Sequence, residues 1–201
     1  MSKKLKVAVT GGIGSGKTEF CNFLHEKGFP VISADRAAKE VLAGDPAVRE
    51  KIIDAFGLQS YAGSEVNTRY LAETVFSDPH KVKLINSIVH PVVIRIIKQK
   101  MKEYLKDNSM VFVEAALIYE AEMEELFDYV VLITARDEFK IKRTLERGNI
   151  PEKEIRKRIE NQIPDEEKSE WADFTFENNM GLQELQQKAG ILISLLKLMA
   201  G

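Results

Sequence analysis

Short apolar runs alternate along this chain with longer segments in which apolar residues recur every three or four positions. Such runs are typical of parallel strands covered on both faces, and the periodic segments are typical of amphipathic helices. The runs predict five strands, at residues 5–9, 31–32, 110–113, 129–133 and 171–176. Because strands alternate with helices, we expect an α/β fold whose core is a doubly wound parallel sheet of about five strands. Periodicity does not specify the order of the strands.

The segment between the second and third predicted strands is longer than a crossover connection requires. Residues 46–108 are predicted to form only helices, with apolar faces such as Leu71, Val75 and Phe76. A kink is expected at His90, because the Pro91 that follows disfavours helical dihedrals there. This length predicts a helical insertion, and insertions at the ligand edge of a sheet commonly bind a second substrate.

The loop after the first strand fits the phosphate-binding pattern G-x-x-x-x-G-K-[ST]. It consists of Gly11, Gly12, Ile13, Gly14, Ser15, Gly16, Lys17 and Thr18. Its glycines let backbone N–H groups point at phosphate oxygens, and the following helix adds its N-terminal dipole. Lys17 is predicted to reach the β- and γ-phosphates of ATP, and the Thr18 hydroxyl to ligate Mg²⁺. A dinucleotide fingerprint is excluded, because Lys17 stands where its third glycine belongs.

Composition narrows the classes of function only slightly. A net charge of -2 in 201 residues gives no reason to propose a nucleic-acid or anionic membrane partner. The single cysteine, Cys21, allows no internal disulfide and is expected to be a small core residue in a reducing compartment. No apolar run approaches the ~20 residues that span a bilayer, so we expect a cytoplasmic protein.

Asp35 follows the second strand, at the edge of the sheet where ligands bind. Two interpretations of Asp35 remain equal at this point: a helix N-cap, or a base that orients the attacking hydroxyl of a phosphoryl acceptor. Glu114 ends the next predicted strand and is a candidate for the Mg²⁺ water shell, with Glu120 nearby; either is alternatively a cap or a surface carboxylate. His90 is a candidate for lining the substrate cleft.

Residues 136–170 contain ten basic and ten acidic residues, which predicts a solvated helical excursion that Pro151 and Pro164 divide. Four basic residues within it, Arg136, Lys140, Arg143 and Arg147, fall at helical spacing. This stripe has two interpretations. It is either a solvated face that pairs with Glu138 and Glu146, or a lid that brings positive charge over a moving phosphoryl group.

Five landmarks, in order, resemble the dephospho-CoA kinase family and cover most of the chain. They are residues 10–17 (TGGIGSGK), 31–35 (VISAD), 84–91, 114–120 (EAALIYE) and 142–147 (KRTLER), the last followed by Arg158, Gln162, Ala172, Asp173 and Asn178. Three positions depart from the family pattern. Ser33 replaces its first aspartate, Ala116 replaces its usual proline, and Thr18 replaces serine.

The resemblance implies ATP-dependent phosphorylation of the ribose 3′-hydroxyl of dephospho-CoA, giving CoA and ADP. It implies a core of residues 1–45, 108–135 and 168–201, a helical substrate domain at 46–107 and a lid at 136–167. By this resemblance, Asp35 is the expected base, and further catalytic residues are expected at Lys17, Arg143 and Arg147. The expected ATP site consists of residues 11–19, which end at Glu19. The expected substrate contacts are Asp35, His90 and Leu117. The protein is expected to be a monomer or small homo-oligomer.

Two rival functions are open at this stage. Another small-molecule P-loop kinase, acting on a nucleotide, shikimate or gluconate, would share the mechanism but not the acceptor. A GTPase-like switch would need the D-x-x-G that residues 54–57 superficially supply, but those residues lie in a helical pattern with no strand before them. The chain also has no N-K-x-D guanine motif.

Overall fold

The computed structural model describes residues 3–75, 78–148 and 151–201. Their helices are α1 (Lys17–Glu26), α2 (Ala34–Gly44), α3 (Pro46–Phe56), α4 (Thr68–Val75), α5 (Pro79–Asp107), α6 (Asp137–Glu146), α7 (Glu152–Glu160), α8 (Asp165–Trp171) and α9 (Leu182–Ala200). Their strands are β1 (Leu5–Thr10), β2 (Val31–Ser33), β3 (Tyr61–Ala62), β4 (Glu65–Val66), β5 (Met110–Glu114), β6 (Tyr129–Thr134) and β7 (Phe174–Glu177). Phe76, predicted to lie on a helix face, is outside the described residues.

The main sheet has five parallel strands in the order β2-β5-β1-β6-β7. β1 lies at its centre, with Val9 opposite both Glu114 of β5 and Val131 of β6. The predicted α/β fold with about five parallel strands is therefore confirmed. Because all the strands run the same way, the loops after their carboxyl ends meet at one edge of the sheet.

One hydrophobic cluster packs α1 and α9 against the sheet. Phe20 and Leu24 of α1 and Leu192 of α9 are fully buried in it, together with Val7 and Phe112 of the central strands. Cys21 is a free, buried member of the same cluster, as predicted. Since the cluster lies directly beneath the first turn of α1, the start of that helix has a rigid support.

The prediction that residues 46–108 are entirely helical is wrong between α3 and α4. A 3-10 turn at Leu58–Ser60 leads into an antiparallel hairpin of β3 and β4, which turns at Gly63 with a φ of 63°. Glycine adopts this left-handed conformation without a Cβ penalty. Elsewhere in this segment, α5 runs as one helix through His90 and Pro91. Val89 and Val93, on either side of Pro91, are buried, and packing of this kind offsets part of the cost of a proline inside a helix.

The last strand begins later than predicted, because Trp171 ends α8 and β7 starts at Phe174. Asp173 explains the boundary: its N–H donates to the Val130 carbonyl at 3.0 Å, and its carboxylate accepts the Val130 N–H at 2.7 Å. This side-chain bond occupies the backbone group that a strand residue would pair. The chain therefore joins the sheet only after Asp173.

The chain divides into two compact units. One contains the residues up to Ser33 together with Lys100–Gly201, and the other is Ala34–Gln99. The first unit contains the whole parallel sheet, and the second contains α2 to α4, the hairpin and most of α5. The predicted substrate domain, at 46–107, begins later and ends later than this second unit. No helix among the described residues is long and apolar enough to cross a membrane.

Candidate active site

The glycine-rich loop lies between the carboxyl end of β1 and the first residue of α1, Lys17. Gly16 takes a left-handed conformation immediately before the helix, with a φ of 101°. A Cβ on Gly14 would lie 2.3 Å from the carbonyl oxygen of Lys140, so only glycine permits the close approach of α6. The loop amides and the unpaired N–H groups of the α1 N-terminus form the kind of cradle that binds phosphate.

Asn178, directly after β7, holds this loop in place. Its side-chain amide donates to the Ser15 carbonyl at 2.8 Å, and its own carbonyl accepts from Nη2 of Arg143 at 2.8 Å. Asn178 is only 6% exposed, so both bonds are shielded from water. The residue therefore couples the P-loop to α6.

Two oxygen ligands suited to Mg²⁺ meet at the start of α1. The Thr18 hydroxyl donates to Oε1 of Glu114, at the end of β5, over 2.6 Å. No group of three or more His, Cys, Asp or Glu that could hold a metal occurs in the described ranges. Mg²⁺ at phosphate sites needs no such group, because one or two protein oxygens suffice beside the phosphates and water. The pair thus fits a nucleotide-bound Mg²⁺.

The basic stripe does not behave as one solvated face. Arg136 is solvated as that interpretation expects, because it precedes α6 and pairs with exposed Glu138 at 3.2 Å. Lys140, in contrast, is buried, and Arg143 is half-buried against Asn178. The interpretation as a solvated face is therefore wrong for these two residues.

Arg147 ends α6 and lies beside the P-loop helix. Its Nη2 is 3.8 Å from Oε1 of Glu19 in the first turn of α1, and both side chains are about half exposed. A pair this exposed contributes little to stability. The pair with Glu19 therefore holds Arg147 only weakly.

The connection between α7 and α8 covers the first half of the P-loop. Oε1 of Gln162 accepts the N–H of Ile13 at 3.3 Å, and Asp165 forms a 2.7 Å ion pair with Lys140. Gln162, Asp165 and Lys140 line a cavity of about 650 Å³ that also includes Gly12. The cavity lies beyond the carboxyl ends of β6 and β7, the usual ligand position in a parallel sheet.

Asp35 is exposed in the first turn of α2, which begins at Ala34. It is therefore not the N-cap residue that one interpretation proposed, and its carboxylate instead lies where a helix dipole favours negative charge. His90 is half-buried within α5, and burial lowers the pKa of its imidazole. Leu117 is exposed in the turn after β5. The substrate-binding roles of these three residues stay predictions.

Glu120 has a structural partner of its own. It accepts the Ile163 N–H at 3.2 Å and pairs at 2.8 Å with Nζ of Lys168, which is fully buried. Glu120 therefore holds the segment from Ile163 to Lys168 in place. The D-x-x-G resemblance also lacks its structural context, because Asp54 lies inside α3 and follows no strand.

Chemical reasoning on single residues overlooked the loop contacts of Asn178, Gln162 and Asp165. The first two belong to the family landmarks, which is the signal that marked them. Nothing in the sequence marks Asp165, which is one of many acidic residues in a charged segment. Its partner Lys140 becomes evident only when α6 and α8 are seen together.

Comparisons with known proteins agree with this geometry. The family model described as dephospho-CoA kinase matches residues 5–184. A dephospho-CoA kinase from Salinibacter ruber is 38% identical, over 92% of this chain and 94% of its own. The crystal structure of TT1252 from Thermus thermophilus superposes with a TM-score of 0.83 at 28% identity, covering 96% of this chain and 98% of its own.

A second solved structure, a dephospho-CoA kinase from Campylobacter jejuni, matches with a TM-score of 0.64 at 27% identity, covering 95% of this chain and 96% of its own. The family match extends from the first strand, through the P-loop and lid, into α9. A P-loop alone would be compatible with many families, but a match of this extent is not. The chain belongs to the dephospho-CoA kinase family.

Proposed function

We propose that this protein transfers the γ-phosphoryl group of ATP to the ribose 3′-hydroxyl of dephospho-CoA, forming CoA and ADP. The observation that supports this acceptor is the family match over residues 5–184. The P-loop geometry supports the donor, because its amides, Lys17 and the Thr18–Glu114 pair suit a triphosphate with its Mg²⁺.

In the proposed reaction, Lys17 and the loop amides hold the β- and γ-phosphates, and residues up to Glu19 line the ATP site. Thr18 would hold Mg²⁺ directly and Glu114 would hold its water shell, and the bound ion would supply positive charge against the charge that develops on the phosphates. Arg143 and Arg147 stabilise the moving phosphoryl group. Asp35 accepts the proton of the 3′-hydroxyl as that oxygen bonds to the γ-phosphorus and the bond to the β–γ bridging oxygen breaks.

The remaining assignments are proposals of the same kind. Residues 46–107 form the substrate domain, where His90 contacts the acceptor, residues 136–167 form the lid, and Leu117 contacts the acceptor from the turn after β5. The protein acts as a monomer or small homo-oligomer. A cytoplasmic location suits the single cysteine, whose pKa burial raises, with Glu114 adding to the effect.

Substrate assays test this function directly. We expect ADP formation with ATP and dephospho-CoA, a product phosphorylated at the 3′ position by ³¹P NMR, and nearly complete loss of turnover in Lys17→Ala. Nucleoside monophosphates, shikimate and gluconate serve as competing acceptors. Turnover of one of these without turnover of dephospho-CoA would instead identify another small-molecule kinase, and a preference for GTP would support a switch.

A further inference from the structure

The lid places two acceptor oxygens on the face of the P-loop that phosphate is expected to use. Oε1 of Gln162 already accepts the Ile13 N–H at 3.3 Å. A Cβ placed on Gly12 would lie 3.2 Å from that oxygen and 3.8 Å from Oδ1 of Asp165. Amide and carboxylate oxygens are the protein groups most like phosphate oxygens as acceptors. Both therefore lie where a bound triphosphate would compete with them.

A cation lies at the same place. Nζ of Lys140 is 3.8 Å from that same Cβ position on Gly12, and its side chain is only 7% exposed. It pairs with Asp165 at 2.7 Å and with Asp137 at 3.2 Å. Burial alone would lower the pKa of Lys140, but the two carboxylates, Asp165 first, raise it above its usual value. Lys140 is thus a charged ammonium beside the P-loop, neutralised by Asp165.

The two carboxylates on Lys140 differ in a way that matters for nucleotide binding. Asp137 lies on the same helix as Lys140 and is mostly exposed, so water screens its charge. Asp165 comes from the start of α8, is 15% exposed and lines the cavity beside Gly12. A triphosphate in that cavity would meet the charge of Asp165 at short range, and the repulsion would be poorly screened.

We propose that the side-chain oxygens of Gln162 and Asp165 occupy the positions of phosphate oxygens when no ATP is bound. ATP binding displaces both side chains, and Lys140 exchanges its ion pair with Asp165 for one with the phosphates. This inference rests on the proposed nucleotide site and names residues that determine its affinity. Lys140 favours ATP binding, whereas Asp165 and Gln162 oppose it because their contacts must be broken first. The Lys140–Asp137 pair keeps the ammonium partnered during the exchange.

Competition with phosphate and a purely structural role for Asp165 predict opposite changes in ATP affinity. If the Lys140–Asp165 pair only braced the lid, removing Asp165 would loosen the P-loop and weaken ATP binding. If Asp165 competes with phosphate, removing its charge leaves Lys140 available and tightens ATP binding. The sign of the change in ATP affinity therefore distinguishes the two roles, whatever the change in melting temperature.

Isothermal titration calorimetry with MgATP, without acceptor, tests the proposal on the full chain. We expect Asp165→Asn to lower the Kd about fivefold, Gln162→Ala to lower it about twofold, and Gln162→Glu and Lys140→Met to raise it. Glu152→Gln is the matched control, because it also removes one carboxylate from the lid but lies in an exposed pair with Arg156. It should leave the Kd within about twofold of wild type.

An unchanged or weaker affinity in Asp165→Asn overturns the proposal, as does tightening of equal size in Glu152→Gln. If Asp165→Asn does not fold, the opposite effects expected of Gln162→Ala and Gln162→Glu decide the matter, and equal effects overturn it. Wild-type ATP affinity in Lys17→Ala would instead contradict the proposed nucleotide site. Because no acceptor is present, failure to phosphorylate dephospho-CoA leaves this test unaffected.

Discussion

Arg143 and Arg147 lie one turn apart at the end of α6, but their surroundings differ. Arg143 donates two bonds to Asn178, and burial, then the neighbouring charge of Arg147, lowers the pKa of its guanidinium. Arg147, by contrast, forms an exposed 3.8 Å pair with Glu19. We therefore expect Arg143 to have a structural role besides its proposed electrostatic one, and Arg147 to have an electrostatic role alone.

We expect Arg147→Ala to lower kcat at least tenfold while the melting temperature changes by less than about 2 °C, because an exposed pair stabilises little. Arg143→Ala should lower both kcat and the melting temperature, because it leaves buried Asn178 without a donor. Steady-state kinetics and calorimetric melting measure the two effects. Equal loss of stability in both variants would contradict this division of roles.

Asp35 is an exposed carboxylate in the first turn of α2, and its predicted role as base can be tested by kinetics. Asp35→Asn should reduce kcat by on the order of 10² or more and leave ATP affinity nearly unchanged. The cost in stability should be below about 1 kcal/mol, the value of one charge at a helix N-terminus. Glu40→Gln, exposed on the same helix, is the control, and an unchanged kcat in Asp35→Asn would exclude the base.

At the scale of elements, the P-loop is defined by what packs against it. α6 approaches Gly14 so closely that the Lys140 carbonyl occupies the position of a side chain, and β7 contributes Asn178 from the other side. The loop is therefore held between two elements that follow it by more than a hundred residues. Its phosphate-binding shape depends on those contacts as well as on its own glycines.

Gly14→Ala should move α6 away from the loop, since its Cβ would lie 2.3 Å from a backbone oxygen. We expect at least a tenfold loss of ATP affinity, measured by calorimetry. Gly28→Ala is the matched control, because Gly28 has a similar positive φ of 87° but no atom within 4 Å of its Cβ position. It should cost about 1–2 kcal/mol of stability and leave ATP affinity unchanged. Equal losses of affinity would show that backbone strain, not packing, governs the loop.

At the scale of the whole molecule, one carboxylate ties neighbouring strands of the sheet together at their amino ends. Asp128, just before β6, accepts the Lys6 N–H of β1 at 2.9 Å and pairs with Lys3 at 3.1 Å. Burial alone would raise its pKa, but these bonds and charges lower it below the usual range. The charged form therefore stabilises the fold.

The stability that Asp128 contributes should be present above its unfolded pKa of about 3.9 and be lost as the pH falls through the lower folded pKa. The free energy of unfolding of Asp128→Asn should be about 1 kcal/mol below that of wild type at pH 7, and this difference should shrink below about pH 4. Urea unfolding followed through Trp171 measures it. The exposed control Asp54→Asn should show no such pH-dependent difference. If the stability difference between wild type and Asp128→Asn grew at low pH, the predicted direction would be contradicted.

The sequence alone determined those features of the protein that depend on neighbouring residues. Apolar periodicity located the five strands of the parallel sheet, because burial acts on each run separately. The spacing of Gly11 to Thr18 identified the phosphate loop, since its shape follows from glycine conformation. The ordered landmarks indicated the family. Local patterns failed where a distant partner decided the outcome, as at Asp173, whose bonds to Val130 delay the start of β7.

Only the tertiary structure decided which of these features meet. Strand order β2-β5-β1-β6-β7 brings Glu114 to Thr18, 96 residues away, and Asn178 to Ser15, 163 residues away. The segment that joins α7 to α8 likewise brings Gln162 and Asp165 onto the P-loop. No periodicity encodes such pairs, because strand pairing and hydrogen bonding between distant segments depend on how all the elements pack at once. The chemistry of the phosphate loop was therefore evident in the sequence, and the groups that hold and cover it were not.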